Sequence, residues 1–131
     1  MFVKDRKGRI RGVKLFNQFP HMDSQKMIAV QPARITSSQI EAARRAISKS
    51  VKRVGKYRVH IQPVTTVSSK PSEVRMGKGK GAIEYNVARV KAGQLLFSVT
   101  GLSFLQSIAI MRRASRKLPL KIKIIQAHRR I

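Results

Sequence analysis

The chain has 131 residues, and its 29 lysines and arginines face only five acids, Asp5, Asp23, Glu41, Glu73 and Glu84, for a formal net charge of +24. That length suits a single core, and self-repulsion on this scale calls for a polyanionic partner. Hydrophobic residues at 42% are grouped in segments, which excludes a disordered basic tail, and no apolar run approaches the ~18 residues of a membrane span.

Residues 1–20 read as an extended basic N-terminal arm, in which Lys4, Arg6, Lys7, Arg9, Arg11 and Lys14 are separated by Gly8 and Gly12. Six cations beside one acid are expected to meet phosphate. Residues 21–131 read as one domain. No long apolar region follows the opening MFVKDRKGRIRG, so it does not read as a secretory signal, nor does it have the Ser-rich character of a transit peptide.

Thr36-Ser37-Ser38-Gln39 is a capping-box pattern and predicts a helix start. Ile40, Ala43, Ile47, Val51 and Val54 recur at helical spacing as one apolar stripe, with Arg45, Lys49, Lys52 and Arg53 largely off it. Gly55 is expected to take the left-handed conformation that ends the helix. Tyr57, Val59 and Ile61 alternate as a strand whose other face carries His60, and Pro63 ends it. Residues 65–71 read as a loop. Ile83, Tyr85 and Val87 alternate in one segment and Leu95, Phe97 and Val99 in another, predicting a hairpin with its turn at Lys91-Ala92-Gly93-Gln94. A second capping-box pattern, Ser103-Phe104-Leu105-Gln106, opens a helix through Ile108 and Met111 to Arg112, Arg113, Arg116 and Lys117, which Pro119 stops. Leu120, Ile122 and Ile124 then alternate with Lys121 and Lys123, predicting a strand with one core face and one basic face. The order predicts an α+β fold, two helices on a mainly antiparallel sheet.

The most distinctive segment is Arg75-Met76-Gly77-Lys78-Gly79-Lys80-Gly81. Glycines allow close backbone approach to a phosphate or ribose, and the interleaved cations neutralise charge. The spacing is not that of a nucleotide-binding P-loop. Composition alone leaves a plain flexible surface hairpin as the alternative.

Several separated stretches resemble the universal large-subunit ribosomal protein family known as number sixteen in bacteria. They are Ile35-Thr36 with Gln39 to Ala46, Val51-Lys52-Arg53 with Gly55-Lys56, and Lys70-Pro71 with Val74 to Gly81. Glu84-Tyr85, Gly93 with Leu96-Phe97, and Lys117-Leu118-Pro119 follow in family order, over about residues 35–125. The resemblance implies an α/β-hammerhead-like fold and a seat on large-subunit rRNA near the central protuberance, close to A-site tRNA. It makes Arg75, Met76, Gly77, Lys78, Gly79, Lys80 and Gly81 a tRNA-proximal loop, with Arg75, Lys78 and Lys80 in contact. It adds Arg44, Arg45, Lys52 and Arg53 to the arm's cations as rRNA-facing residues. The implied partners are large-subunit rRNA, A-site tRNA and neighbouring ribosomal proteins, with no membrane, cofactor, metal or homo-oligomer. Residues 15–30 match poorly and the usual opening of the family is missing.

Other classes fare worse. A nuclease needs clustered carboxylates to hold its metals, whereas the five acids are scattered. His60 has no assignable nucleophile or orienting carboxylate, and His21, His60 and His128 are isolated in a chain without cysteine. A regulator built on an adjacent helix-turn-helix or an aromatic ribonucleoprotein motif is not visible. Aromatic residues at 5% exclude base stacking as the main mode of recognition. The divergent N-terminal third and the Ile- and Lys-rich composition suggest a mitochondrial ribosome, with a bacterial or plastid ribosome as the alternatives. A mitochondrial home requires synthesis inside the organelle or prior removal of a targeting segment.

Overall fold

The computed structural model describes residues 4–14, 24–77 and 79–126. Lys78, His21, His128, Asp23 and the remainder of the arm lie outside the described residues. In chain order the elements are β1 (Gln25–Ala29), β2 (Ala33–Thr36), α1 (Ser37–Val51), β3 (Lys56–Val59), β4 (Thr65–Ser69), β5 (Ala82–Val90), β6 (Leu95–Thr100), α2 (Phe104–Ser115) and β7 (Ile122–Gln126).

The α+β expectation holds, with the strands divided between two sheets. One has the order β3-β6-β1-β7 and the other β2-β5-β4, and every strand pair is antiparallel. The expected hairpin of β5 with β6 does not form, because these neighbours in sequence enter different sheets. Gly93 and Gln94 instead turn the chain from one sheet into the other, and the Ala29 carbonyl accepts from Gly93 N–H at 2.7 Å. Ile83 and Tyr85, placed on a core face by alternation, are 36% and 43% exposed; β5 enters the interior only at Val87, Ala88 and Val90. Residues 65–69, expected within a loop, form β4 because Thr65 to Ser69 pair along β5.

β1 is the central strand, and all five of its residues are buried. Met27 sits opposite Phe97 of β6 and Ile124 of β7. Lys26 is only 2% exposed, and its burial lowers its pKa by penalising the charged form. A strand buried on both faces shows no polar–apolar alternation.

Both helices begin where their caps place them. The Thr36 hydroxyl accepts from Gln39 N–H at 3.3 Å while Gln39 Oε1 accepts from Thr36 N–H at 3.0 Å, and the Ser103 hydroxyl accepts from Gln106 N–H. Ile40, Ala43, Ile47 and Val51 of α1 pack against Ile110, Met111 and Ala114 of α2 in one core with Met27, Phe97 and Val99. Val54, assigned to the stripe by spacing, is 77% exposed because the helix ends before it. The left-handed residue at that end is Lys52, φ 53°, and not Gly55. Gly55 meets a different requirement: a Cβ there would lie 2.8 Å from the Thr100 carbonyl. β7 begins at Ile122 and not at Leu120, but the expected burial pattern holds across both, with Leu120 buried, Ile122 and Ile124 half-buried and Lys121 and Lys123 exposed.

Ile47 is fully buried, so Ile47→Ala is expected to lower unfolding free energy by about 2–5 kcal/mol. Val54→Ala should change it by less than about 0.5 kcal/mol. Urea unfolding of the two variants checks the revised helix end.

Candidate nucleic-acid interface

The arm lies against the β2-β5-β4 sheet and is held mainly through its backbone. Asp5 and Thr66 form a reciprocal pair: Asp5 N–H donates to the Thr66 hydroxyl at 3.1 Å, and Thr66 N–H donates to Asp5 Oδ2 at 3.0 Å. Arg34 Nη2 donates to the carbonyls of Lys7 at 3.0 Å and Gly8 at 2.5 Å. Arg89 Nη2 donates to the carbonyls of Arg6 and Lys7, the latter at 2.7 Å. Farther along, Val13 forms a parallel bridge with Ala92, and Lys14 N–H donates to the Ala92 carbonyl at 2.9 Å. Gly93 makes room for this approach, since a Cβ there would lie 2.3 Å from the Lys14 carbonyl.

With carbonyls turned to the sheet, the side chains of Lys4, Arg6, Lys7, Arg9, Arg11 and Lys14 belong to exposed residues. Arg34 and Arg89 stand opposite each other in the β2–β5 register. Two cations directly opposed across strands repel, and the arm's carbonyls supply the compensating acceptors. The sequence reading missed both as arm anchors, because their meaning lies in a register that no local pattern reveals.

The glycine-lysine loop joins β4 to β5 at the end of the same sheet, beyond the Ser69–Ala82 pair. It interlocks with the arm: Lys80 Nζ donates to the Asp5 carbonyl, and Lys4 Nζ donates to the Lys80 carbonyl at 3.4 Å. Lys70 Nζ donates to the Gly77 carbonyl. Arg75, Met76, Gly77, Gly79 and Lys80 are exposed, Met76 completely so. Gly77 and Gly79 both have φ 93°, a conformation that side-chain-bearing residues rarely take. Gly81 closes the loop base, where a Cβ would lie 2.4 Å from the Ser69 carbonyl. The structure therefore brings arm and loop into one basic surface. Glu73 and Glu84 are exposed, and neither forms an ion pair among the described residues.

The α1 cations are separate and unequal. Arg44 is engaged within the protein, donating to Glu41 Oε2 at 2.9 Å and Oε1 at 2.5 Å and to the Tyr57 hydroxyl at 3.1 Å. Arg45 Nε donates to Glu41 Oε1 at 3.2 Å. The Arg44 hydrogen bond is the largest influence holding Glu41 down to about 2, and Glu41 in turn raises Arg44. Tyr57 is lowered by hydrogen bonds first from Ser48 and then from Arg44. Lys52 and Arg53 are exposed beyond the helix end. Among the described residues no hydrogen bond or ion pair joins these four to the arm or loop. His60, which follows directly on the end of β3 at Val59 where the sequence predicts strand through Ile61, has its Nε2 2.9 Å from the Ser98 hydroxyl and is satisfied there.

Among the described residues no group of acids and histidines could hold a metal ion, and no helix is long and apolar enough to cross a membrane. A docked basic arm interlocked with a glycine-rich basic loop on a small α+β scaffold defines the class, a strongly basic two-sheet α+β protein. The sequence matches the family described as Ribosomal protein L16p/L10e over residues 1–125. It is 48% identical over 124 residues to the large ribosomal subunit protein uL16 of Sphingopyxis alaskensis, covering 95% of this chain and 87% of that one. The proteins of the same name from Xanthobacter autotrophicus and Parvibaculum lavamentivorans are 44% and 46% identical, again over 95% of this chain and over 91% and 89% of theirs. The chain belongs to the L16p/L10e ribosomal protein family, whose members are structural proteins and not enzymes. These relatives are bacterial, so the expected mitochondrial home gains no support and its bacterial alternative fits better.

The depressed Glu41 value gives a sign to the pH response. Its stabilisation is complete above the ordinary glutamate value of about 4.3 and is lost as pH falls toward about 2. Glu41→Gln removes that component, so the Tm difference between wild type and variant should shrink across this window. Thermal melts at intervals from pH 5 to pH 2, as about the useful range, check it.

Proposed function

We propose that the chain is a structural constituent of the large subunit of a bacterial ribosome, binding large-subunit rRNA near the central protuberance and helping to position A-site tRNA. The single observation that carries the RNA-binding part is the interlocked arm and loop, tied together by Lys4 donating to the Lys80 carbonyl and Lys80 to the Asp5 carbonyl while Arg6, Lys7, Arg9, Arg11, Lys14 and Arg75 remain exposed. Family membership supports the ribosomal setting. The seat near the central protuberance and the tRNA role rest on the resemblance of the Arg75 to Gly81 motif. Arg6, Lys7, Arg9 and Arg11 are the arm residues assigned to rRNA phosphate, with Lys52 and Arg53 the freer pair at α1. Arg44 and Arg45 serve the same RNA with part of their charge already answered by Glu41.

The loop cations divide in role. Arg75 has no partner within the described protein and is assigned wholly to the external contact, whereas Lys80 also ties the loop to the arm. Arg75→Ala is expected to leave folding and subunit incorporation intact while lowering A-site tRNA occupancy. Lys80→Ala should lower tRNA occupancy and also expose the arm to protease. Affinity of the free protein for large-subunit RNA should fall steeply with salt, with a log–log slope of about −0.7 to −0.9 per phosphate contacted. Filter binding over a salt series and tRNA occupancy on reconstituted subunits check these outcomes. A flat salt response contradicts phosphate binding, and normal tRNA occupancy with Arg75→Ala contradicts the loop's role.

A further inference from the structure

A groove of about 920 Å³ runs between α1 and α2, on elements that the arm and loop do not use. Its floor is aliphatic, with Val51, Leu102 and Ile110, and it stays open because Ala46, Ser50 and Ala109 are small. Val54 at its edge is 77% exposed. The rim carries Lys49 and Lys52 from α1 and Arg113, Arg116 and Lys117 from the end of α2. All five rim residues are exposed, no acid lines the groove, and none of the five is in an ion pair among the described residues.

We propose that this groove takes one unpaired nucleotide of large-subunit RNA, its base against Val51, Leu102 and Ile110 and its flanking phosphates on the basic rim. The inference rests on the ribosomal reading above and adds a second RNA site to it. An aliphatic floor inside a ring of cations asks for a ligand with one flat apolar face and a negative charge on either side. An unstacked nucleotide supplies both from a single unit, because the base offers a face and the backbone carries a charge at each end. The arginine forks of Arg113 and Arg116 match phosphate oxygens two at a time. An acidic protein segment answers the charge alone, since its carboxylates and its apolar side chains lie on different residues. With no aromatic side chain in the lining, the base is held by aliphatic burial and by a guanidinium plane.

The test uses the full chain with transcribed large-subunit RNA and 2′-hydroxyl acylation probing. Wild type is expected to protect an unpaired nucleotide outside the footprint that Arg75→Ala and arm variants alter. Ala109→Trp fills the groove and keeps every cation, so it should abolish that protection while leaving the salt slope unchanged. Arg113→Gln with Lys117→Gln keeps the groove open and should reduce the slope by about 1.4, two single-strand phosphates' worth. Ala46→Leu repeats the filling test should circular dichroism show that Ala109→Trp fails to fold. Protection indifferent to filling, or, on reconstituted large subunits, groove cross-links that form to a protein neighbour and not to RNA, overturns the proposal while the arm and loop footprints stand. Absence of any footprint from wild type overturns the RNA-binding reading proposed above.

Discussion

Arg34 and Arg89 face each other across β2 and β5 with no carboxylate between them, and the Lys7 carbonyl accepts from both guanidinium groups. Side-chain charge alone would drive this part of the molecule apart. Backbone oxygens resolve the conflict, because a carbonyl accepts a charge-assisted hydrogen bond without spending one of the five acids. Seating the arm on these two arginines leaves Arg6, Lys7, Arg9, Arg11 and Lys14 exposed, and the Asp5–Thr66, Lys4–Lys80 and Lys80–Asp5 contacts fix the loop beside it. The docked arm, the interlocked loop and the outward charge thus follow from one arrangement of donors and acceptors. Residual repulsion among those outward side chains favours binding to a polyanion.

The helical layer handles charge in another way. Glu41 lies on the same helix as Arg44 and Arg45 and pairs with both, and Arg44 donates separately to Tyr57 of β3. Exposed pairs of this kind contribute modestly to stability. Their consequence is to leave the uncompensated positive charge of the helices toward the α1 end and along α2, at Lys49, Lys52, Arg113, Arg116 and Lys117. Among the described residues the arm-and-loop surface is thus held by backbone acceptors, while the helical cations are left open at a groove.

Local chemistry was legible in the sequence wherever it was sufficient to determine structure. The Thr36 capping box, the Ile40 to Val51 stripe and the alternation of Leu120, Ile122 and Ile124 all appear in the fold at the positions expected. β1 was hidden because burial on both faces erases alternation and Lys26 interrupts its apolar run. The β5–β6 hairpin looked convincing because each strand alternates, yet partner choice is a non-local matter settled when Gly93 carries the chain between sheets. The same limit applies to the interface. The Arg75 to Gly81 motif and the arm cations are local and could be named, whereas Arg34 and Arg89 acquire their role only through register and arm docking.

Hydrogen–deuterium exchange of the protein bound to large-subunit RNA tests most directly whether arm and loop act as one unit. In wild type the amides of Asp5, Lys14 and Thr66 should be protected together with the loop that follows Ser69. Asp5→Ala is expected to raise exchange in the arm and in the 70–81 loop together and to remove the loop's RNA footprint along with the arm's. An Asp5→Ala protein whose arm exchanges freely while the loop keeps its protection and its footprint would contradict the account.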